Sequence, residues 1–239
     1  ARPHRASRPA TPRRSSRLVV LDVDSTLIRN EVIDLLGAEA GHRDAVAYLT
    51  ERAMLGEIDY VDALKERVAL LKGAKEDIIE RAISKMILTA GGRTFIRTLK
   101  RLGYKVAIIS GGFAPFTDHL ARELDLDHAY SNTLQVVDGV LTGEVEGEII
   151  DAERKATLLE DIALREGIPL EQTVAIGDGA NDLPMLKKAG LGIAFNAKPA
   201  LREAADTALN VPYLDAILFM LGVSREEVEA ADALDTNSQ

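Results

Sequence analysis

The stretch "RLVVLDVDSTLI", Arg17 to Ile28, decides the fold of this chain. It begins as a continuous run of apolar and β-branched residues, which is typical of a strand buried on both faces of a sheet. The run then places two carboxylates, Asp22 and Asp24, two positions apart. Because carboxylates are almost never fully buried without partners, other parts of the chain must compensate the charge of this pair.

Two further apolar runs also end in a polar residue. "YKVAIIS" ends at Ser110 and "TVAIGD" ends at Asp178, while "GLGIAF" at 190–195 and "DTALN" at 206–210 are a fourth and a weaker fifth strand candidate. Helical patterns separate the runs, which indicates an α/β fold with a doubly wound parallel sheet. Ligands bind beyond the carboxyl ends of the strands in such sheets, so we expect the polar ends to meet at one edge.

The chain between the first two strands is longer than a single crossover requires, and it follows a helical period. We therefore expect residues 31–90 to form an inserted helical cap, and residues 18–30 and 91–232 to form a Rossmann-like core. One cap helix is predicted near 57–71. Its apolar face comprises Ile58, Val61, Leu64, Val68 and Leu71.

Further along the chain, the run 92–101 predicts the helix that returns to the core. Alternating residues within 130–148, around Asp138-Gly139, predict a small β-hairpin. After one more helix, we expect a flexible tail at 233–239.

Composition limits the kinds of chemistry available. With 239 residues and 46% apolar residues, the chain can bury a sizeable core. It has no cysteine, which excludes disulfides, thiolate metal sites and a cysteine nucleophile, and leaves oxygen or histidine ligands for any metal. No apolar run approaches the roughly 18 residues that a membrane span needs. We expect a soluble, cytoplasmic protein with no membrane partner.

Charge is distributed unevenly along the chain. Residues 1–17 contain six arginines and no acid, and removing these six charges from the net charge of −9 leaves −15 on residues 18–239. An acidic body argues against a nucleic-acid partner. The leader is too poor in large apolar residues to build a core, so we expect it to be disordered. We favour a linker over a transit-like segment or a nucleic-acid arm.

Two more carboxylates, Asp178 and Asp182, lie in the motif "GDGAND". An isolated pair such as Asp22 and Asp24 is more often a solvated strand end or a helix cap. Carboxylates that converge at one sheet edge, however, raise each other's pKa unless a cation lies among them. A hard divalent ion with oxygen ligands, most simply Mg²⁺, meets this requirement and commonly contacts a substrate phosphate.

A phosphate site is indicated by "IISGGF", in which Ser110 and the glycines after it offer a hydroxyl and accessible amides. An ordinary strand-to-helix turn is the alternative.

Lys155 projects from the apolar side of a helix predicted after Asp151. It therefore needs an anionic partner, a phosphate or an aspartate, unless it snorkels at the helix start. The apolar arc around it comprises Ala156, Leu158, Leu159, Ile162 and Ala163.

These groups together suggest phosphoryl transfer, in which one aspartate attacks phosphorus and the other acts as acid and then base. The residues alone only weakly favour Asp22 as the nucleophile. The motifs "DVDSTL", "SGG", a lone lysine and "GDGANDLPML" occur in the order seen in haloacid-dehalogenase-like phosphatases, which the chain therefore resembles.

The resemblance implies a role for each motif residue. Asp22 is then the nucleophile and Asp24 the acid/base. Mg²⁺ is held by the carboxylates of Asp22 and Asp178 and by the backbone carbonyl of Asp24, with Asp182 in the outer shell. The implied phosphate-binding residues are Ser110, Gly111, Lys155 and Asn181.

The predicted cap is similar to that of the bacterial phosphoserine phosphatases, through "NEVIDLL" and "AMLGEIDYVDALKERVALL". That similarity implies that Glu31 and Arg67 bind the charged groups of the substrate, with Met54 and Tyr60 packed beside it. Tyr60 and Arg67 lie two helical turns apart, about 10 Å along one side of a helix. Alternatively, Glu31 caps a helix and Arg67 is a solvated charge.

The resemblance has two departures, because the family more often has phenylalanine at Tyr60 and proline near Ala90. It implies Mg²⁺-dependent hydrolysis of O-phospho-L-serine to serine and phosphate through an aspartyl-phosphate, the last step of serine biosynthesis. One alternative is that the enzyme acts on another small phosphorylated metabolite. A second is that the chain is a non-catalytic, phospho-accepting signalling domain. A homodimer and an amino-terminal regulatory domain of the ACT type, as in many relatives, are left open.

Overall fold

A computed structural model describes residues 18–54 and 57–236 of the chain. The predicted arginine-rich leader, residues 1–17, and the last three residues of the predicted tail lie outside the described residues. Within the described ranges, no helix has the length and apolar character needed to cross a membrane.

The core is a seven-stranded sheet in the order β4-β3-β2-β1-β5-β6-β7. All neighbouring strands pair in parallel except β3 and β4, which are antiparallel. The predicted α/β class and doubly wound parallel sheet are thereby confirmed. The strands are β1 (Leu18–Leu21), β2 (Lys105–Phe113), β3 (His128–Val137), β4 (Val140–Glu146), β5 (Thr173–Gly177), β6 (Leu191–Phe195) and β7 (Thr207–Leu209).

Helices cover both faces of the sheet, and successive residues of β1 pack into apolar clusters on opposite faces. Val19 and Leu21 belong to one apolar cluster, and Leu18 and Val20 belong to another. This two-sided burial explains why the strand reads as a continuous apolar run. The helices are α1 (Val32–Glu39), α2 (Arg43–Met54), α3 (Tyr60–Ala69), α4 (Asp77–Ile83), α5 (Gly92–Arg101), α6 (Ala114–Leu124), α7 (Ala152–Arg165), α8 (Leu183–Lys188), α9 (Pro199–Ala204), α10 (Ala216–Met220) and α11 (Arg225–Thr236).

Helices α1 to α4 lie in the segment between β1 and α5. The predicted helix at 57–71 begins later, at Tyr60, because the Asp59 side chain accepts a hydrogen bond from Val61 N at 3.0 Å and caps the first turn. Leu64 and Val68 of its predicted apolar face are buried. This helix therefore begins directly after its capping residue, Asp59.

The predicted hairpin is formed by β3 and β4. Asp138 and Gly139 both have positive φ, 52° and 74°, as a two-residue hairpin turn with the right twist requires. The outer strand β4 also bonds to the chain after α3, where Gly73 N donates to Leu141 O at 2.9 Å. The hairpin thus connects the sheet to the helical segment.

Two predicted boundaries differ in the structure. Strand β2 continues past Ser110 to Phe113, because a bulge accommodates extra residues between the pairs Ile109–Tyr130 and Phe113–Asn132. The last helix reaches Thr236, so residues 233–236 of the predicted tail are helical. Local polarity alone could not show that an existing helix would continue through these residues.

Candidate active site

The site lies at the carboxyl edge of the sheet, where segments after β1 and β5 meet the bulged end of β2. Asp22 extends the β1 ladder by one bond, since its amide donates to Ile176 O at 2.9 Å. The cavity above this edge has a volume of about 650 Å³. Its polar and charged lining includes Asp22, Asp24, Glu31, Thr50, Asp59, Tyr60, Arg67, Asp151, Glu153, Asp178, Asn181 and Lys198.

Lys155 compensates the charge of Asp22. It lies on α7, only 1% exposed, and its Nζ donates to Asp22 Oδ1 at 2.5 Å and to Asp182 Oδ1 at 2.8 Å. Burial by itself lowers the pKa of Lys155. The flanking carboxylates of Asp182 and Asp22 together have a larger, opposite effect, so the pKa lies above its usual value. The ammonium group therefore stays charged and links two strand ends.

Asp182 is held on its other side by backbone amides. Its Oδ2 accepts hydrogen bonds from Asp178 N at 3.1 Å and Gly179 N at 3.0 Å. A Cβ at Gly177 would collide with the Asp182 side chain, so glycine is required there for the carboxylate to lie against the strand end. Both oxygens of Asp182 thus have donors from the protein.

A metal ion fits the donor set at this edge. Carboxylate oxygens of Asp22, Asp178 and Asp182 all lie within 4.8 Å of one another. Burial, and then the charge of Asp182, raises the pKa of Asp178 to about 7. Thr26 Oγ1 donates to Asp178 Oδ1 at 3.1 Å. Converging carboxylates of this kind favour a divalent cation.

Asp24 differs from Asp22 in its surroundings. Its Oδ1 is buried and, within the described part of the chain, has no hydrogen-bond partner. Burial, followed by the charge of Glu31, raises the pKa of Asp24 well above its usual value. Burial and the charge of Asp182 also raise the pKa of Asp22, but Lys155 opposes that rise. Asp24 therefore holds a proton more readily than an exposed aspartate does, while Asp22 has a cation beside it.

The predicted phosphate cradle lies in the bulge of β2. Ser110 is buried, and its Oγ accepts a hydrogen bond from Gly112 N at 2.8 Å. The carbonyl of Gly111 accepts from Asn132 Nδ2 at 2.8 Å, and Asn132 Oδ1 accepts from Ile150 N at 2.8 Å. Asn132 thus ties the cradle to the loop that leads into α7.

The helical segment between β1 and α5 contributes a cation and an anion to the cavity. Arg67 is 9% exposed, and its Nε donates to Ala63 O at 3.1 Å while Nη1 donates to Thr50 Oγ1 at 3.2 Å. These two bonds orient a guanidinium that has five N–H donors in all. Glu31 stands at the N-cap position of α1 but makes no capping bond, and its Oε1 instead accepts from Ser25 Oγ at 2.7 Å. Arg67 is therefore not a solvated charge, and Glu31 does not cap the helix with its side chain.

The remaining predicted residues are placed as follows. Tyr60 lines the cavity, and its hydroxyl lies where a Cβ on Gly111 would be. Burial raises the pKa of Tyr60 to about 12. Asn181 also lines the cavity, in the short turn after β5. Met54 is the last residue of α2, and its side chain lies outside the described part of the structure.

Sequence reasoning missed five residues that serve the site: Ser25, Thr26, Thr50, Asn132 and Lys198. Thr26, Thr50 and Asn132 form hydrogen bonds with predicted residues that are distant in sequence, which no local pattern reveals. Lys198 follows β6 and lines the cavity. Only the position of β6 in the predicted sheet could have indicated it, because the carboxyl end of that strand faces the same edge.

The chain is similar to known proteins of one family. A family model described as haloacid dehalogenase-like hydrolase matches residues 19–187. The chain is 59% identical over 222 residues to a phosphoserine phosphatase of Streptomyces coelicolor. That alignment covers 93% of this chain but only 54% of that relative. The chain is 48% identical over 204 residues to a phosphoserine phosphatase of Streptococcus thermophilus, covering 85% of this chain and 95% of that relative. The chain therefore spans about half of the first relative and nearly all of the second.

Solved structures show the same similarity. A substrate-bound phosphoserine phosphatase complex aligns with a TM-score of 0.82 at 45% identity, covering 86% of this chain and 98% of that chain. A phospho-aspartyl intermediate analogue of phosphoserine phosphatase aligns with a TM-score of 0.81 at 46% identity, with the same two coverages. The chain belongs to the haloacid dehalogenase-like hydrolase family, within which it is similar to the phosphoserine phosphatases.

Proposed function

We propose that the chain is a Mg²⁺-dependent phosphatase that hydrolyses O-phospho-L-serine to serine and phosphate. The observation that carries the proposal is the arrangement of charges around one cavity. Lys155 holds Asp22 beneath the cavity, and Arg67 and Glu31 face it from the cap. A phosphorylated amino acid has a phosphate, a carboxylate and an ammonium group, and each finds a group of opposite charge here. The relatives named above support the same substrate.

In the first half of the reaction, Asp22 attacks phosphorus and forms an aspartyl-phosphate, while Asp24 gives its proton to the oxygen of the departing serine. Lys155, the Ser110 hydroxyl and the Gly111 amide neutralise the phosphate oxygens. The raised pKa of Asp24 suits it to arrive protonated. Asn181 is a further phosphate contact.

In the second half, Asp24 has lost its proton and takes one from the water that attacks the aspartyl-phosphate. Phosphate then leaves and Asp22 is regenerated. When bound, Mg²⁺ supplies positive charge that lets the carboxylates of Asp22 and Asp178 remain ionised and that neutralises phosphate oxygens. Its ligands would be the carboxylates of Asp22 and Asp178 and the backbone carbonyl of Asp24, with Asp182 in the outer shell between Lys155 and the amides.

The helical segment 31–90 serves as a cap on the core formed by residues 18–30 and 91–232. It closes over the substrate and excludes water during the first attack. Arg67, held by Thr50, binds the substrate carboxylate; Glu31 binds its ammonium group. Met54 and Tyr60 pack beside the substrate, and the Tyr60 hydroxyl adds a polar group near the cradle.

The test is a phosphatase panel with and without Mg²⁺, comparing phosphoserine, phosphothreonine, sugar phosphates and an aryl phosphate. We expect phosphoserine to be preferred and turnover to require the metal. In Arg67→Ala, kcat/KM for phosphoserine should fall by about 100-fold, as for loss of a charged hydrogen bond. Hydrolysis of the aryl phosphate, which has no carboxylate, should fall far less.

The matched control is Arg81→Ala, which removes an exposed arginine of α4 that pairs with Glu39 and Asp77. It should leave the substrate preference unchanged. A flat panel would contradict the choice of phosphoserine and favour another small phosphorylated metabolite. Phosphate release that stops at one equivalent per protein would favour a phospho-accepting signalling domain.

A further inference from the structure

The turn after β1 contains a serine in a backbone conformation that serine rarely adopts. Ser25 has φ 57° and ψ 3°, in the left-handed region that favours glycine. Its amide donates to Asn30 O at 3.2 Å and closes the turn. Glycine could make that backbone bond without strain. The Ser25 side chain therefore has to be explained by something other than the turn.

The hydroxyl of Ser25 has a defined partner. It donates to Glu31 Oε1 at 2.7 Å across the closed turn. Among the described residues that line the cavity, Glu31 is present and Ser25 is not. Ser25 therefore contacts the cavity lining through the carboxylate that it holds, and Oε2 of Glu31 can accept a hydrogen bond from a ligand.

The hydroxyl of Ser25 helps to orient Glu31, because both anionic and cationic side chains lie around the Glu31 carboxylate. Asp24 and Asp34 lie close enough to repel it, while Arg67 and Lys198 attract it. A glutamate side chain also has three rotatable bonds, and ordering them on binding opposes affinity. A hydroxyl bond that is already made in the free protein removes part of that cost.

We propose that Ser25 is a positioning residue for substrate selection. Its hydroxyl holds Glu31 in the orientation that accepts the ammonium group of a phosphorylated amino acid. The site then distinguishes phosphoserine from the same phosphate ester without its amino group. This inference deepens the proposed function and rests on it.

The experiment compares two substrates, O-phospho-L-serine and 3-phosphooxypropanoate, which is phosphoserine without the amino group. The quantity measured is the ratio of their kcat/KM values with Mg²⁺ present. In Ser25→Gly, which suits the left-handed backbone, we expect this ratio to fall about 10-fold, equivalent to about 1.4 kcal/mol. Ser25→Ala, which keeps the Cβ, should show the same fall, because the hydroxyl is the common loss.

Two further variants separate positioning from damage to the turn. In a Glu31→Gln background, Ser25→Gly should cause no additional fall in the ratio, because the two residues act together. The matched control is Ser84→Gly, which removes an exposed cap hydroxyl bonded to Arg81 O. It should leave the ratio unchanged.

The outcomes are distinct. If Ser25→Gly slows both substrates equally and keeps the ratio, Ser25 serves only the turn and the inference is wrong while the proposed function stands. An undiminished fall in the Glu31→Gln background would also overturn it. If the unmodified protein fails to prefer phosphoserine to its desamino analogue, the proposed substrate itself is wrong and the inference falls with it.

Discussion

At Lys155, one ammonium group holds carboxylates from two distant parts of the chain. Both partners are nearly inaccessible, and the bonds are short, 2.5 Å to Asp22 and 2.8 Å to Asp182. A buried cation between two buried anions is stable only while all three are present, because each unpaired charge in such a place is costly. The cluster is therefore a point where the proposed catalysis and the stability of the fold depend on the same side chain.

Replacing Lys155 by alanine should destabilise the protein by about 3–5 kcal/mol, since it leaves two buried carboxylates without their cation. Urea unfolding of the metal-free protein measures the change. Lys188→Ala is the matched control, because Lys188 pairs with Glu160 at the surface, at 2.9 Å. That variant should lose less than about 1 kcal/mol. Equal losses in the two variants would show that the burial of Lys155 does not matter.

Asp22 and Asp24 should fail in different ways when each is changed to asparagine. Asp22→Asn removes the proposed nucleophile, so we expect no turnover and no phosphate bound covalently. Asp24→Asn keeps that nucleophile but removes the proposed proton donor and base, so some aspartyl-phosphate should accumulate. Intact mass spectrometry after brief exposure to substrate measures the gain of one phosphoryl group. Phosphoryl transfer to Asp22→Asn would contradict the assignment of the nucleophile.

Among the elements, β2 shows how a bulge builds a site. The strand continues to Phe113, yet the register with β3 shifts between Ile109 and Phe113, which frees the backbone of the cradle from regular pairing. Asn132, buried on β3, holds the carbonyl of Gly111 from the side. The hydroxyl of Tyr60 approaches Gly111 from α3. The predicted cradle is thus a place where the sheet meets the helical segment.

This contact predicts that Gly111→Ala will reduce activity by about 10-fold or more, because a Cβ there collides with the Tyr60 hydroxyl. Adding Tyr60→Phe removes the colliding atom and should restore part of the loss, which a double-mutant cycle of kcat/KM measures. Gly92→Ala, where a Cβ would meet nothing closer than 3.6 Å, is the control and should remain active. Simple additivity of the two changes would contradict the contact.

For the molecule as a whole, the carboxylate cluster links stability to pH and to metal. The pKa of Asp178 is about 7 in the folded protein, against a usual value of 3.8. The folded state therefore binds a proton that the unfolded chain releases above about pH 4. The contribution of this bound proton to the free energy of unfolding is complete below about pH 4. It is lost as the pH rises through 7, which lowers the free energy of unfolding by about 4 kcal/mol in all. A divalent cation bound at Asp178 would replace the proton at high pH.

The thermal stabilisation by Mg²⁺ should consequently be larger at about pH 8 than at about pH 5.5, since a metal has to displace the proton of Asp178 at the lower pH. Melting temperatures with and without the ion measure this difference. Asp178→Asn should abolish most of the metal effect at both pH values. The matched control, Asp118→Asn at an exposed position of α6, should keep it. An equal metal effect at the two pH values would contradict the assignment of Asp178 as a ligand.

Much of this molecule followed from local pattern. The apolar runs ending at Asp22 and Asp178 predicted two parallel strands, which the structure places side by side as β1 and β5. The apolar arc around Lys155 predicted its burial on α7. Period and spacing suffice for such predictions, because a strand or a helix presents its side chains in a fixed geometry. The order of the four motifs also led to the family that the comparisons show.

The tertiary structure decided the rest, because it depends on contacts between residues far apart in sequence. The bulge that takes β2 past Ser110 arises from the pairing of β2 with β3. The bond from Lys155 to Asp22 spans 133 residues, and that from Thr26 to Asp178 spans 152. A sequence determines which charges are present and which side of an element they occupy. Which charge neutralises which depends on distances of a few ångströms, and only the packed sheet and cap set those distances.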